Sequence, residues 1–427
     1  MTFRQLSSGI TVVLEPMPHF RSISLGVWVN AGSIFETDAN AGVSHFIEHM
    51  LFKGTERRSA VDISMETDAI GANLNAFTAK ECTCFHIKAL DEDMPLCVDI
   101  LSDIVLHSRL DPTELEREKG VILEEIAMNR DFPEDLVFEK AAEAFYAGMP
   151  LSREILGTEG TVARLRDKDL REYMAVHYTA ENIVIAAAGS FEEERLIAEL
   201  ERAFAGVAHG ARQPVPTYEP QHKVSFSFTE KDAEQVHTVL LFPGAALASE
   251  ESFTLAVLSN ILGGSMSSRL FRHIREERGL CYSVYSYPTT YRGIGSLGIY
   301  VASTEKQAED ALRLIFAELD DLLENGVSEE ELVRYRQQLK GSYVLGMETA
   351  SAHMNTIGKT ALLMGTAYDA EKTLQRIESV TREQVLERIP KTFLRDRFTL
   401  ASVGRLGALK KRLQKQAEEW SGNNGSR

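Results

Sequence analysis

The sequence predicts an α+β fold built twice: two homologous domains, each a mostly antiparallel sheet with helices packed on one face. Three observations predict it. The chain has 427 residues, too many for one ordinary hydrophobic core, so two or more domains are expected. Near residues 205–222, Gly206, Gly210, Pro214, Pro216 and Pro220 interrupt both hydrophobic periods and leave halves of similar length. The halves repeat one order of elements, strands early and late with helices in blocks, which is not the alternation of a parallel α/β sheet. The boundaries read as a first domain over 1–210, a linker over 211–222 and a second domain over 223–427.

In the first half, the apolar, β-branched run over 22–30 (SISLGVWVN) predicts a strand. Periodic apolar positions predict helices over 43–52 and 61–70. One long strand pattern follows over 74–90, then helices over 95–106, 113–129, 135–146 and 168–177, and a closing strand over 182–189. In the second half a strand over 237–242 precedes helices over 251–262 and 267–277. Strand patterns over 282–287 and 295–301 flank an interruption at 288–293 that holds a proline and a glycine. Helices over 307–323, 329–346 and 382–389 lead to a last strand over 398–403. The end of the chain, 421–427, is small and polar and is expected to be disordered.

Composition narrows the function. Hydrophobic residues make up 44% and charged residues 26%, the profile of a globular protein with a large core. A formal net charge of −17 argues against nucleic-acid binding, which needs basic patches. The charge serves solubility, or an acidic surface that attracts cationic peptides. The four cysteines, Cys82, Cys84, Cys97 and Cys281, lack the C-x-x-C spacing of a zinc ribbon or redox motif and read as core or half-buried thiols. So few cysteines favour a reducing compartment. No signal peptide or membrane-spanning run is evident, so a cytoplasmic location without a membrane partner is expected.

The informative string is His45-Phe46-Ile47-Glu48-His49, in a helical pattern. Residues four apart share a helical face, so His45 and His49 can offer two imidazole nitrogens to one ion. Glu48 stands beside them and can reach a water at that ion without being a ligand. Two neutral nitrogens, an open position and a nearby base are what metal-assisted hydrolysis needs. The order H-x-x-E-H inverts the commoner H-E-x-x-H.

A catalytic zinc site usually takes a third protein ligand. The best candidates lie in the acidic helix over 113–129, where Glu118 and Glu125 are seven apart and face the same side. Either could project toward the histidines. Glu124 points about 100° away and reads as solvated.

These residues together resemble the pitrilysin-type zinc peptidases, the family of insulin-degrading enzyme, the mitochondrial processing peptidase and short single-unit bacterial relatives. The resemblance covers nearly the whole chain, duplicated layout included. It implies that Glu125 is the third ligand of one Zn²⁺ per chain and that Glu118 supports the site from behind a ligating histidine. It implies that residues 71–78 (GANLNAFT) form a substrate-binding edge strand, with Asn75 and Ala76 holding the peptide backbone and Phe77 lining the pocket for the residue after the cleaved bond. In the second half it implies that Arg275 and Tyr282 hold the substrate and stabilise the oxyanion. Residues 263–270 (GGSMSSRL) resemble the loop before that arginine helix. The second half has no H-x-x-E-H of its own, and its counterpart near 258–264 lacks the ligands.

The resemblance further implies a zinc endopeptidase acting on peptides inside a closed dimeric chamber, as a homodimer or with a different partner chain. Some relatives are non-catalytic or partner-dependent subunits of processing-peptidase-like complexes. Those typically lose the metal motif, whereas this sequence keeps every element of it.

Overall fold

The run near residue 22 becomes a strand buried on both faces, with Ile23, Leu25, Val27 and Val29 on one and Ser24, Gly26 and Trp28 on the other. It lies at the centre of the first of two sheets in the computed structural model, which describes residues 1–220 and 223–422. The first half contains β1 (Thr2–Gln5), β2 (Thr11–Pro16), β3 (Ser22–Val29), α1 (Val43–Leu51), α2 (Ala60–Ala69), β4 (Asn73–Thr78), β5 (Thr83–Leu90), α3 (Met94–His107), α4 (Pro112–Asp131), α5 (Pro133–Phe145), α6 (Glu159–Val162), α7 (Asp167–His177), β6 (Ile183–Gly189) and α8 (Glu193–Ala203). The second half contains β7 (Ser225–Glu230), β8 (Gln235–Pro243), α9 (Glu250–Gly263), a short, widely wound π-helix (Phe271–Glu276), β9 (Ser283–Tyr291), β10 (Ile294–Thr304), α10 (Ala308–Asn325), α11 (Glu329–Gly346), α12 (Ala350–Met364), α13 (Ala370–Ser379), α14 (Arg382–Thr392), β11 (Thr399–Gly404) and α15 (Leu409–Trp420). Among the described residues, no helix is long and apolar enough to cross a membrane.

The two sheets share one plan. The first runs β1-β2-β6-β3-β5-β4 and the second β7-β11-β8-β10-β9. Each has one parallel pair, β2 with β6 and β7 with β11, and is otherwise antiparallel. A strand, two helical segments and a returning hairpin occur in the same order in both, as expected of a duplicated α+β unit. Ile23, Leu25, Val27 and Val29 of β3 enter the main core of the first sheet. Val236, Leu240 and Phe242 of β8 do the same in the second.

The compact units are not the two halves of the chain. One comprises 1–126, 153–216 and 344–369; the other comprises 127–152, 217–343 and 370–427. The segments carrying α5 and α12 have therefore changed sides relative to the predicted cut between 210 and 223. Each covers the sheet face left bare by the other helices of its unit. In the first unit, α12 lies over Gly26 and Trp28 of β3, so closely that a Cβ on Gly358 would stand 2.2 Å from Trp28 Nε1. In the second, Phe138 of α5 stacks on Tyr300 at 5.3 Å and meets Tyr287 edge-on at 5.5 Å. The expectation of helices on one face holds for the rest.

Three local expectations change. The pattern over 74–90 is a hairpin, β4 and β5, closed by a tight turn in which Ala79 N–H donates to Cys82 O at 2.8 Å. Pro288 does not interrupt the second hairpin: it sits within β9, an edge strand that pairs with β10, where one ladder donor is dispensable. The helix over 267–277 begins two residues later and is π-wound over Phe271–Glu276. The expected linker is without regular structure over 211–220, and its residues 221–222 lie outside the described residues. Of the polar end, Ser421 and Gly422 continue from α15, and 423–427 lie outside the described residues. Cys82, Cys84 and Cys97 are buried and Cys281 is half-buried, all as free thiols.

Two expected outcomes follow from this packing. Gly358→Ala forces Trp28 to shift and should lower unfolding free energy by ~1–3 kcal/mol in urea melts. On α7, burial pushes the His177 imidazole down to about 4, against a smaller opposing effect of the Asn30 backbone. The unfolded chain, with a histidine near 6.5, therefore takes up this proton first. The contribution of His177 is complete above about pH 6.5 and is lost as pH falls toward 4. Between pH 7 and 4.5, His177→Gln should lose less unfolding free energy than the parent, by on the order of 1–2 kcal/mol.

Candidate metal centre

The histidine helix is held at its start by a residue that sequence reading passed over. Gly42 precedes α1 with φ of 92°, a left-handed conformation, and gives the helix no capping side chain. A Cβ there would lie 2.6 Å from Leu156 O, so only glycine fits. The buried carboxylate of Glu36 replaces the cap, accepting from Gly42 N–H at 2.7 Å and Ser44 N–H at 2.9 Å. Ser44 Oγ in turn bonds Tyr173 of α7 at 2.9 Å. Burial raises the Glu36 pKa, and the backbone donors oppose the rise. The only sequence signal was an acid shortly before a glycine-led helix.

Val43, Phe46, Ile47, Met50 and Leu51 bury one side of α1 and leave His45, Glu48 and His49 along its other side. On α4, Leu115, Ile122 and Ile126 seat the helix in the core, and Glu118 and Glu125 face the histidines. Glu124 is exposed, as expected. Glu125 Oε2 lies 3.6 Å from His45 Nε2 and 3.4 Å from His49 Nε2. These distances are long for N–H···O hydrogen bonds. They match two ligands of one tetrahedral zinc, which stand ~3.4 Å apart when each is about 2.1 Å from the ion. Among the described residues, His45, His49 and Glu125 are the one group of three such side chains that converges in this way.

The supporting contacts are equally directed. Glu118 Oε1 meets His49 Nδ1 at 2.8 Å, which leaves Nε2 facing Glu125. The other oxygen of Glu118 pairs with Lys53 Nζ at 2.7 Å, a partner the sequence had not singled out. Burial lowers the His45 pKa to about 4, helped by His49 and opposed by Glu125, so its ring is neutral near neutral pH. Burial also acts to lower His49, but Glu118 and Glu125 outweigh it and raise the group to about 9. His49 and the other histidine hold Glu125 below the usual carboxylate range. Two carboxylates thus press for positive charge at the histidine pair, which a divalent cation satisfies. Burial raises the Glu48 carboxyl, with Thr78 and His49 acting against the rise and Glu125 adding to it.

β4 forms the open edge of its sheet beside this helix. Asn75 is exposed, and its Oδ1 accepts from Ala76 N–H at 2.8 Å. Ala76 and Thr78 share the α1 side of the strand, and Thr78 Oγ1 donates to Glu48 Oε2 at 2.5 Å. Phe77 is the exception. Strand alternation turns it to the opposite face, where it meets Trp28 edge-on at 5.5 Å and His86 at 6.2 Å.

Arg275 and Tyr282 belong to the second unit. The Arg275 guanidinium lies between two rings, 4.5 Å from the centroid of Phe271 and 4.9 Å from that of Tyr282. Tyr282 is exposed immediately before β9. The counterpart of α1 in this unit is α9, which carries no histidine. There Asn260 reaches the α11 helix, donating to Tyr335 O at 2.6 Å and Gln338 Oε1 at 2.7 Å. Amide hydrogen bonds close the helix pair that a histidine–carboxylate cluster closes in the first unit.

The chain has relatives among known proteins. Residues 11–159 match the family described as Insulinase (Peptidase family M16), and residues 164–339 match the Peptidase M16 inactive domain. An uncharacterized zinc protease of Streptomyces coelicolor is 38% identical over 408 residues, covering 94% of this chain and 89% of that one. The uncharacterized zinc protease YmxG of Bacillus subtilis is 39% identical over 378 residues, covering 88% of this chain and 92% of that one. The crystal structure of a protease from Helicobacter pylori shares the fold, with a TM-score of 0.88 at 18% identity over 94% of this chain and 99% of that one. The chain belongs to the M16 family of peptidases, the pitrilysin type, and is similar throughout to its short bacterial members.

The Lys53–Glu118–His49 chain gives a test that needs no activity. Lys53→Met should weaken zinc binding ~10-fold in chelator competition, and Lys53→Arg should restore most of the loss.

Proposed function

We propose that this protein is a zinc-dependent endopeptidase that hydrolyses peptide bonds in short or unfolded polypeptides. The observation that carries the reading is the convergence of His45 Nε2, His49 Nε2 and Glu125 Oε2 beside the Glu48 carboxylate. Kinship with proteins described as zinc proteases supports it. His45, His49 and Glu125 would hold one Zn²⁺ per chain, and Glu118 keeps the His49 ring turned toward it. When bound, zinc supplies a Lewis acid that makes water acidic near neutral pH and polarises a carbonyl. Glu48 takes the proton of the attacking water and returns it to the departing amine. The substrate lies extended along the open edge of β4, its backbone held at Asn75 and Ala76.

Arg275 and Tyr282 serve the same reaction by donating to the substrate backbone and to the oxyanion that develops at the cleaved carbonyl. In this reading two copies form a homodimeric chamber, and the arginine and tyrosine of each complete the zinc site of the other. The chamber excludes folded proteins. The family resemblance motivates this arrangement, together with the presence of both site components in one chain.

Glu48→Gln should retain one zinc per chain and lose ~100-fold or more of kcat on a quenched unstructured peptide. Chelation should abolish parental cleavage, and added zinc should restore it. Cleavage by Glu48→Gln at the parental rate would remove Glu48 as the base. For assembly, mixing Arg275→Ala with Glu48→Gln chains should recover activity through heterodimers. Heterodimers that form but stay inactive would refute sharing between copies.

A further inference from the structure

We propose that Thr78 is a positioning residue for the general base: its hydroxyl fixes the Glu48 carboxylate and ties it to the strand on which the substrate lies. The inference rests on the peptidase reading above and deepens it. A glutamate side chain has three rotatable bonds, and on a helix surface it samples many directions. Glu48 is tethered instead, through the 2.5 Å bond from Thr78 Oγ1 to its Oε2. The hydrogens around this bond are directed. The neighbouring Thr83 hydroxyl, fully buried, spends its one proton on Ala31 O at 3.0 Å. Thr83 lies 3.4 Å from Thr78 Oγ1 and stands opposite Thr78 in the β4–β5 ladder. The Glu48 carboxylate, ionised to act as a base, can only accept, and it lies at 2.5 Å against 3.4 Å for Thr83, so the Thr78 proton goes to Glu48. One carboxylate oxygen is then fixed, and the other is presented to the reacting water.

The location adds a second role. Thr78 is the last residue of β4, two positions from Ala76 and on the same face. The strand that would set the register of a bound peptide therefore also sets the position of the base. A misplacement of about 1 Å at a reacting group can cost ~100-fold in rate, so this single hydroxyl has leverage on turnover.

The test compares the full-length zinc-loaded parent with Thr78→Val, which keeps the branched shape and removes the donor, and Thr78→Ser, which keeps the donor. Quenched-peptide kinetics, zinc content and thermal unfolding are measured for all three. The expected result is a fall in kcat of ~10–100-fold for Thr78→Val, with KM within about twofold, unchanged zinc content and unchanged melting. Thr78→Ser should return kcat to within a few-fold of the parent. Parental kcat in Thr78→Val would overturn the proposal. So would a fall that serine does not rescue, or one accompanied by loss of zinc or of thermal stability. If the parent itself cleaves no peptide, the peptidase reading fails. The positioning claim is then decided by crystal structures of parent and Thr78→Val: a displaced Glu48 carboxylate in the variant supports it, and an unmoved one overturns it.

Discussion

The 2.8 Å contact between His49 Nδ1 and Glu118 Oε1 joins two helices that are distant in sequence. The geometry of the site depends on it. Without that acceptor the His49 ring could turn about its own axis, and Nε2 would no longer face Glu125. The acceptor is in turn fixed at its other oxygen by Lys53. Burial makes this arrangement consequential, because a carboxylate in a low-dielectric setting needs both oxygens satisfied. α1 is thus held at two points: Glu36 ties its first turn, and Glu118 with Lys53 ties its last. Between them the helix has little freedom to rotate, and His45 and Glu48 inherit that constraint.

The duplicated plan carries one such site among the described residues. Both sheets use the same strand order with one parallel pair, and both place a helix after the first long central strand. In the first unit that helix meets α4 through histidines and carboxylates. In the second, α9 meets α11 through the amide of Asn260. The scaffold tolerates either chemistry because apolar burial, from Phe46 and Ile47 in one case and Leu258 and Ile261 in the other, does the work of packing. The second unit keeps instead an arginine flanked by two aromatic rings, at the mouth of its own edge hairpin.

Much of the fold was legible in the sequence. The strand at 22–30, the histidine helix and the acidic helix showed their periods openly, and the structure places them within a few residues. The departures have physical causes. A run over 74–90 reads as one strand because alternation continues through the turn at Ala79–Cys82, where no glycine or proline marks the reversal. Pro288 reads as a break because its missing donor matters in a central strand and not at an edge. α12 was missed although Met354, Ile357, Gly358 and Ala361 recur at helical spacing: the glycine that lets the helix lie close against Trp28 also weakens its helical signal. The change of sides by α5 and α12 leaves no trace in either period, since both helices look the same whichever sheet they cover.

The sequence by itself determined the parts. Spacing four apart put two imidazoles on one helical face, spacing seven apart put two carboxylates on another, and the break near 205–222 announced a repeat. Resemblance added an expectation that spacing alone left open, Glu125 as the third ligand and Glu118 as its support. Only the tertiary structure decided how the parts meet: that Glu125 faces both Nε2 atoms, that Lys53 and Glu36 brace the site, that Thr78 reaches Glu48, and that Phe77 turns away. Local periodicity fixes which face a side chain occupies. What lies opposite that face is set by long-range packing, to which no short stretch of sequence has access.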